Sequence, residues 1–369
     1  MKINILTSNL QNKLSFVNHA ISQKSQLPIL LNILLEAKKD KLKISSTDLE
    51  IGIELYIPAN VEEEGIVTIP AKTFIELINS ISEESLTLQT DQDTLKVLSK
   101  KTKSVFQTIK GEDFPNLYKE KGEKIATFQA EEMRKDFSEI VFAASVDTTR
   151  PALSGVLVKN EADGFLLVAT DGYRLSLKHH KATIKNAKNT NQFIIPARVF
   201  RELMSIKEES QDIEMFTSRE SSQVFFSQGE TLLVGRLIEG AFPNYEKIIP
   251  SDFSTQVLFE REEMQKAVKI CSIFARDSAN IIKFSFKKNQ IIVSSQSPQV
   301  GENTVTIDAV LKGEENEIAF NAHYLHDVLA GIDENEMVFE MTGPLNPGVF
   351  KIKEDSSFLH LIMPVRVQG

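Results

Sequence analysis

Six histidines, one cysteine and two aspartates in matching surroundings are the residues whose types could do chemistry in this chain. His19, His179, His180, His323, His326 and His360 have no Cys or carboxylate at the spacing of a metal site. His323 and His326 stand three apart, close enough on a helix to share an ion, but a closed zinc site takes four ligands and the sequence suggests no third. Asp48 and Asp171 each follow a threonine, and a duplicated carboxylate could serve acid–base catalysis. Turn chemistry is the simpler account: in Asp171-Gly172 the Asp bonds its own backbone and the Gly accepts positive φ, which makes a tight connection between strands. Cys271, with Ile270 and Ile273 nearby, reads as a small core residue rather than a nucleophile. With no Gly-rich phosphate loop and no Gly-x-Ser-x-Gly elbow, the sequence predicts neither catalysis nor a metal nor a cofactor.

The elements around these residues repeat. Ile69-Pro-Ala-Lys-Thr-Phe-Ile-Glu-Leu-Ile78 returns as Ile195-Pro-Ala-Arg-Val-Phe-Arg-Glu-Leu-Met204 and more faintly as Phe320-Asn-Ala-His-Tyr-Leu-His-Asp-Val-Leu329, at spacings of 126 and 125 residues. Asp48 to Asp171 spans 123, and Phe114-Pro-Asn116 returns as Phe242-Pro-Asn244 after 128. Periods this long exceed those of solenoids, so each unit owns a core, and the expected domains are 1–120, 121–250 and 251–369. Helical spacing opens each repeat at Leu10, Leu14, Val17 and Ile21, at Met133, Phe137, Ile140 and Val141, and at Met264, Val268 and Cys271. Strands follow at 42–45, 51–57, 165–169 and 281–286, a second helix after the Ile-Pro-Ala signature, then strands at 85–88, 95–98 and 105–109. The fold class is α+β, with two helices on antiparallel sheet in each repeat.

A net charge of −9 over 369 residues argues against holding nucleic acid by bulk electrostatics. Residues 8–24 nevertheless carry Lys13, His19 and Lys24 with no acid, and the second helices present Lys72, Arg198 and His323 at equivalent positions. The first residues lack a signal-peptide pattern and no apolar run approaches ~18 residues, so a cytoplasmic protein without a membrane segment is expected.

Thr170-Asp-Gly-Tyr-Arg-Leu175, Glu239-Gly-Ala-Phe-Pro-Asn-Tyr245 and Ile362-Met-Pro-Val-Arg-Val367, with Leu27-Pro-Ile-Leu30 and Thr47-Asp-Leu-Glu50, closely resemble motifs of the bacterial replicative sliding clamps, the DNA polymerase III beta subunits. The resemblance runs the length of the chain. It implies a head-to-tail homodimeric ring around duplex DNA, a processivity factor in DNA replication that tethers the polymerase alpha subunit, clamp-loader subunits and other proteins with clamp-binding peptides. It implies no chemistry of its own. Size agrees: domains of ~120 residues have radii near 15 Å, so three leave almost no central hole whereas six leave roughly 30 Å.

By the same resemblance Lys24 and Arg150 touch DNA, and the repeat adds Lys72 and Arg198. The implied partner cleft comprises Leu153, Thr170, Gly172, Tyr173, Arg174, Leu175, Pro243, Lys247, Ile248, Ile362, Met363, Pro364, Val365 and Arg366. Aliphatic and Met side chains beside Pro and Gly suit an adaptable peptide groove. Phe106, Ile273 and Phe274 are the expected apolar anchors of a seam between the first domain of one chain and the third of the other. Departures from the pattern are Pro151 and Ala152 at positions that can be aromatic, Asp147 for an amide, Lys247 for Arg, and the Gln368-Gly369 extension. Two other classes compete: a three-domain peptide-binding scaffold without encirclement, and a hydrolase built on Asp48 or Asp171.

Overall fold

The computed structural model describes residues 1–22, 25–147, 149–184, 192–208 and 212–366. Six helices stand out: α1 (Thr7–Val17), α2 (Ala71–Ser80), α3 (Ala130–Ser138), α4 (Ala197–Ser205), α5 (Arg261–Ala275) and α6 (Ala322–Gly331). Each repeat runs strand, helix, three strands, a strand leading into the second helix, then three more strands, with additional short strands at Asn60–Glu63 and Ile109–Lys110 in the first repeat and Thr183–Ile184 in the second. The signature proline ends a strand in the first two repeats, at Pro70 and Pro196, where no donor is needed, and the helix starts at the next residue. In the third repeat Asn321 takes that place and its side chain accepts the backbone N–H of His323 at 2.9 Å, a helix cap.

The opening helices are shorter than the apolar spacing predicts. α1 buries Leu10, Leu14 and Val17 but stops before Ile21, which follows a 3-10 turn; α3 buries Met133 and Phe137 and likewise stops before Ile140 and Val141. Ile140 and Val141 still fill the core and Ile21 its edge, each in or beside a tighter 3-10 turn rather than in α-helical register. In α5 the predicted Met264, Val268 and Cys271 are all buried within the helix.

Contacts divide the chain into two units that do not follow the repeat. Unit 1 holds Met1–Glu131, the strand Thr183–Ile184 and Arg198–Leu237; unit 2 holds Glu132–Ala182, the strand Gln192–Pro196 and Ile238 onward. Sheet continuity within each unit explains this. In unit 1, Ile51–Pro58 of the first repeat pairs antiparallel with Thr231–Arg236 of the second, Ile53 opposite Leu233, inside a ten-stranded sheet. In unit 2, Arg174–Lys181 of the second repeat pairs with Asp355–Ile362 of the third, Leu175 opposite Leu361, inside a twelve-stranded sheet.

A five-stranded sheet completes unit 1 and ends on Lys103–Gln107, whose outer edge has no strand partner among the described residues. The third repeat supplies the matching loose end in unit 2. Its strand Gly301–Gly313 pairs over 301–308 with Gln290–Ser297 and over 309–313 with Thr255–Phe259, which leaves one edge of the first half unpaired among the described residues.

The core of the third repeat shows what binds helices to sheet. Phe284, Phe286, Phe320, Phe339 and Phe350 are buried together with Val268, Leu325 and Leu329 of α5 and α6, and Phe286 stacks on Phe339 at 4.8 Å. Burying such side chains contributes about 1.5–3 kcal/mol each, enough to fix strand register through the alternation of faces.

Candidate partner cleft, basic positions and seam

The turn Thr170–Arg174 is held by its own side chains. Thr170 Oγ1 donates to the Arg174 carbonyl at 2.6 Å and accepts the Gly172 N–H at 3.1 Å, while Asp171 Oδ1 accepts the N–H groups of Tyr173 (2.8 Å) and Arg174 (3.0 Å). Gly172 sits at φ +93° with open space beside it, so glycine is favoured there by backbone conformation and not by crowding. Thr47–Ile51 repeats the arrangement: Thr47 Oγ1 donates to the Ile51 carbonyl at 2.7 Å and Asp48 Oδ1 accepts Glu50 and Ile51 N–H groups, both at 3.0 Å. Both carboxylates are therefore turn formers, which removes the basis for paired acid–base chemistry. His326 lies 3.0 Å from Ser272 Oγ, and no group of three metal-ligating residues occurs among the described residues.

Around the second turn the predicted cleft residues separate into floor and rim. Leu175 and Ile362 are fully buried, Leu175 in a cluster with Leu157, Val168, Tyr245 and Leu361, so they serve as core rather than as exposed wall. Leu153 and Thr170 are also buried. The exposed apolar surface is Tyr173 (65 %), Ile248 (43 %) and Met363 (38 %), with Gly172, Pro243, Lys247 and Arg366 exposed and Pro364 and Val365 half-buried. Backbone bonds fix the tail: Met363 N–H donates to the Tyr173 carbonyl and Val365 N–H to the Ala319 carbonyl, each at 2.8 Å.

Arg174 differs most from its expected role. Its guanidinium is buried, with Nε on Asp171 at 3.1 Å, Nη1 on Asp327 of α6, Nη2 on the Phe142 carbonyl at 2.8 Å, and the ring of Tyr324 4.7 Å away. It pins the turn to α6 and offers no free donor fork. Behind it His360, wholly buried and 2.6 Å from Ser176 Oγ, has its pKa driven well below the usual value by burial and then by the Arg174 charge.

The basic positions also separate. Lys72 on α2 and Arg150 are exposed, with no ion pair among the described residues. Arg198 is engaged: Nη1 lies 2.5 Å from Asp48 Oδ2 and Nη2 donates to the His19 carbonyl at 2.8 Å. The acid-free stretch of α1 is likewise answered from outside itself, Lys13 by Glu208 and His19 by Glu202. Lys24 lies outside the described residues, as does the Gln368-Gly369 extension. Lys266 and Lys269, exposed on α5, were not singled out by the repeat because the first helices align poorly in sequence.

Of the expected seam residues, Ile273 is 55 % exposed and Phe274 half-buried. Phe106 is buried instead, edge-on to Phe74 at 5.8 Å; strand alternation turns Phe106 inward and leaves Val105 exposed on the open edge strand.

Family models of the DNA polymerase III beta subunit cover nearly the whole chain: the N-terminal domain matches residues 1–118, the central domain 127–244 and the C-terminal domain 246–366. A beta sliding clamp of Synechocystis is 29 % identical over 390 residues, with 100 % of both chains covered. The crystal structure of a DNA polymerase sliding clamp from Bacillus subtilis superposes with a TM-score of 0.94 at 27 % identity, again over 100 % of both chains. A sliding clamp from Bartonella birtlesii, solved bound to griselimycin, gives 0.93 at 25 % identity with 100 % of both chains covered. The chain thus belongs to the DNA polymerase III beta subunit family, the replicative sliding clamps, which act as processivity factors and catalyse nothing themselves.

Proposed function

We propose that two copies of this chain close head to tail into a ring of six clamp domains, 1–120, 121–250 and 251–369 in each copy, that encircles duplex DNA in the cytoplasm. The observation that carries the reading is the pair of unmatched strand edges. Two equivalent strand pairings, Ile51–Pro58 with Thr231–Arg236 and Arg174–Lys181 with Asp355–Ile362, are made within the chain. The third would need the open half of Gly301–Gly313 and the open edge of Lys103–Gln107, and a second copy supplies each to the other. Exposed Ile273, half-buried Phe274 and exposed Val105 add apolar area to that seam.

DNA is held by topology, assisted by a few phosphate contacts from Lys72 and Arg150, and from Lys24 by resemblance; Lys266 and Lys269 join them as additional exposed cations. Arg198 contributes only if it releases Asp48. Few contacts mean little sequence reading and free sliding. DNA polymerase III alpha, clamp-loader subunits and other partners dock by short peptides against Tyr173, Ile248 and Met363, with Gly172, Pro243, Lys247 and Arg366 at the rim. The Bartonella relative with griselimycin bound is consistent with a ligand site in the family.

The deciding experiment loads the protein onto nicked circular DNA and then linearises it. Retention on the circle with release from free ends is expected at salt that abolishes direct binding, and equal retention on unblocked linear DNA would show that encirclement is wrong. Changing Ile273 and Phe274 to Glu should leave soluble 41.4 kDa monomers in sedimentation, where the parent sediments at twice that mass.

A further inference from the structure

We propose that Phe142 is a positioning residue for partner docking, a wedge between α6 and the Thr170–Arg174 turn that sets where the exposed Tyr173 stands. The inference rests on reading that turn as a peptide site. Phe142 lies in the 3-10 turn Val141–Ala143 that follows α3, half-buried against the core of the third repeat. Its carbonyl accepts Arg174 Nη2 at 2.8 Å, and its ring centroid stands 5.7 Å from the same guanidinium and 5.3 Å from the ring of buried His360. One residue thus meets Arg174 through both backbone and ring. Arg174 in turn closes the 170–174 turn, since its carbonyl accepts the Thr170 hydroxyl and its backbone N–H donates to Asp171.

The ring also rests on the end of α6. Gly331 closes that helix without a positive φ, so its backbone does not call for glycine. A Cβ there would meet Phe142 Cε1 at 2.6 Å and Cδ1 at 2.9 Å, closer than packed carbons approach. The matching helices of the other repeats, α2 and α4, end on Ser80 and Ser205, each followed, as Gly331 is, by a buried isoleucine. The glycine therefore goes with the ring. Unit 1 supplies the contrast: His19 and Phe142 stand 123 residues apart, the spacing of Asp48 and Asp171, and the His19 carbonyl likewise accepts Arg198 Nη2 at 2.8 Å. The His19 side chain, however, turns to Glu202 and is 41 % exposed. The carbonyl contact is common to both units, whereas a ring seated on a glycine belongs to unit 2, whose turn carries Tyr173. Close packing passes a displacement of that ring on to the guanidinium and the turn.

Fluorescein-Gln-Leu-Ala-Leu-Phe-amide is titrated with full-length protein, and anisotropy gives its dissociation constant beside the melting temperature of each variant. Phe142→Ala and Gly331→Ala should each bind about fivefold more weakly or worse, the size expected of a residue that acts through its neighbours. The double variant should bind no more weakly than Phe142→Ala, because the added methyl then meets no ring. Val268→Ala, a core change in α5, should lower the melting temperature and leave peptide affinity at the parent value. Parent affinity in folded Phe142→Ala, or in folded Gly331→Ala should the first variant fail to fold, would overturn the role of Phe142 while leaving the peptide site standing. Weakening by Val268→Ala in proportion to its lower melting temperature would overturn it as well, since stability alone would then account for the loss. A parent protein that does not bind the peptide would remove the peptide site and this inference with it.

Discussion

The turns at 47–51 and 170–174 are built from the same hydrogen bonds, yet the charges that tie them to the next helix are reversed. In unit 1 the turn carboxylate Asp48 reaches the guanidinium of Arg198 on α4. In unit 2 the turn-side guanidinium of Arg174 reaches the carboxylate of Asp327 on α6. Burial differs as well: Arg174 is enclosed, whereas Arg198 is 36 % exposed. The same holds four residues further along each strand, where buried Leu55 corresponds to buried Lys178, held by Glu139 at 2.6 Å, Asp355 at 2.8 Å and Asp136 at 3.3 Å. A repeated backbone frame therefore fixes a shape and leaves each unit free to stabilise it by ions or by hydrocarbon. Unit 2 uses enclosed ions, and it is also the unit with the exposed Tyr173, Ile248 and Met363.

The largest expected consequence is at Arg174. Its removal leaves the largely enclosed Asp171 and the Phe142 carbonyl without their donor, while Asp327, 43 % exposed, is resolvated by water. Arg174→Ala should cost about 3 kcal/mol in urea denaturation, the range for losing hydrogen bonds from a charged donor on its enclosed side. A loss below ~1 kcal/mol would mean that the guanidinium is in effect solvated and that the contrast with unit 1 is only geometric.

The enclosed ions of unit 2 also have a pH signature. Burial, opposed by Lys178, lifts the Glu139 carboxyl from 4.5 to about 7, so the native state keeps a proton that the unfolded chain has already released. Stability should then fall as pH rises from about 4.5 to 7, by on the order of 2–3 kcal/mol across the window. Asp355 works in the opposite sense: burial raises its pKa, but Lys178 and Ser357 outweigh that and bring it to about 2, so its contribution is present above 3.8 and is lost on acidification toward 2. Glu139→Gln should flatten the upper window alone, read as melting temperature against pH. A variant with the parent's slope between pH 4.5 and 7 would assign that slope to other groups.

The backbone frame was legible in the sequence because it depends on local rules: the Thr-Asp pair, the glycine at 172, the proline before the second helix of the first two repeats, and the alternation that places strands such as Ile51–Pro58. The partners of charged side chains were not. Lys13, His19 and Arg198 looked like free cations, and only the long-range strand pairing of unit 1 brings Glu208, Glu202 and Asp48 to them. Leu175, Ile362 and Phe106 were named for function, yet their place on the inner face of a strand assigns them to the core. Ile273, named as a seam anchor partly from the family resemblance, lies exposed near the end of α5.

A smaller effect tests the turns themselves. Gly172 at φ +93° is matched by Leu49 at φ +75°, a side chain held in a conformation that costs roughly 1–2 kcal/mol outside glycine. Gly172→Leu should therefore destabilise unit 2 by about that amount, and Leu49→Gly should recover up to ~1 kcal/mol in unit 1 less what the lost apolar contacts contribute. Equal and opposite shifts would indicate that strain alone separates the turns. A destabilised Leu49→Gly variant would give Leu49 a packing role.

The smallest effect is expected at Arg198. Its pair with Asp48 has good geometry, but a guanidinium 36 % exposed to water gains little from one carboxylate, and the median for such pairs is ~0–1 kcal/mol. Arg198→Ala should thus cost no more than about 1 kcal/mol, and half a molar salt should shrink the difference, since the Debye length then falls well below ~8 Å. Asp48→Ala removes the same charge pair and, besides it, the one oxygen Oδ1 that accepts two turn N–H groups, so it should cost more than Arg198→Ala by roughly those two hydrogen-bond contributions, ~1–2 kcal/mol. The double variant isolates the ionic part. If Asp48→Ala and Arg198→Ala together cost the sum of the single changes, the ion pair contributes nothing, and the turn of unit 1 is fixed by the hydrogen bonds of Thr47 and Asp48 to its own backbone, in contrast to the ion-pinned turn of unit 2.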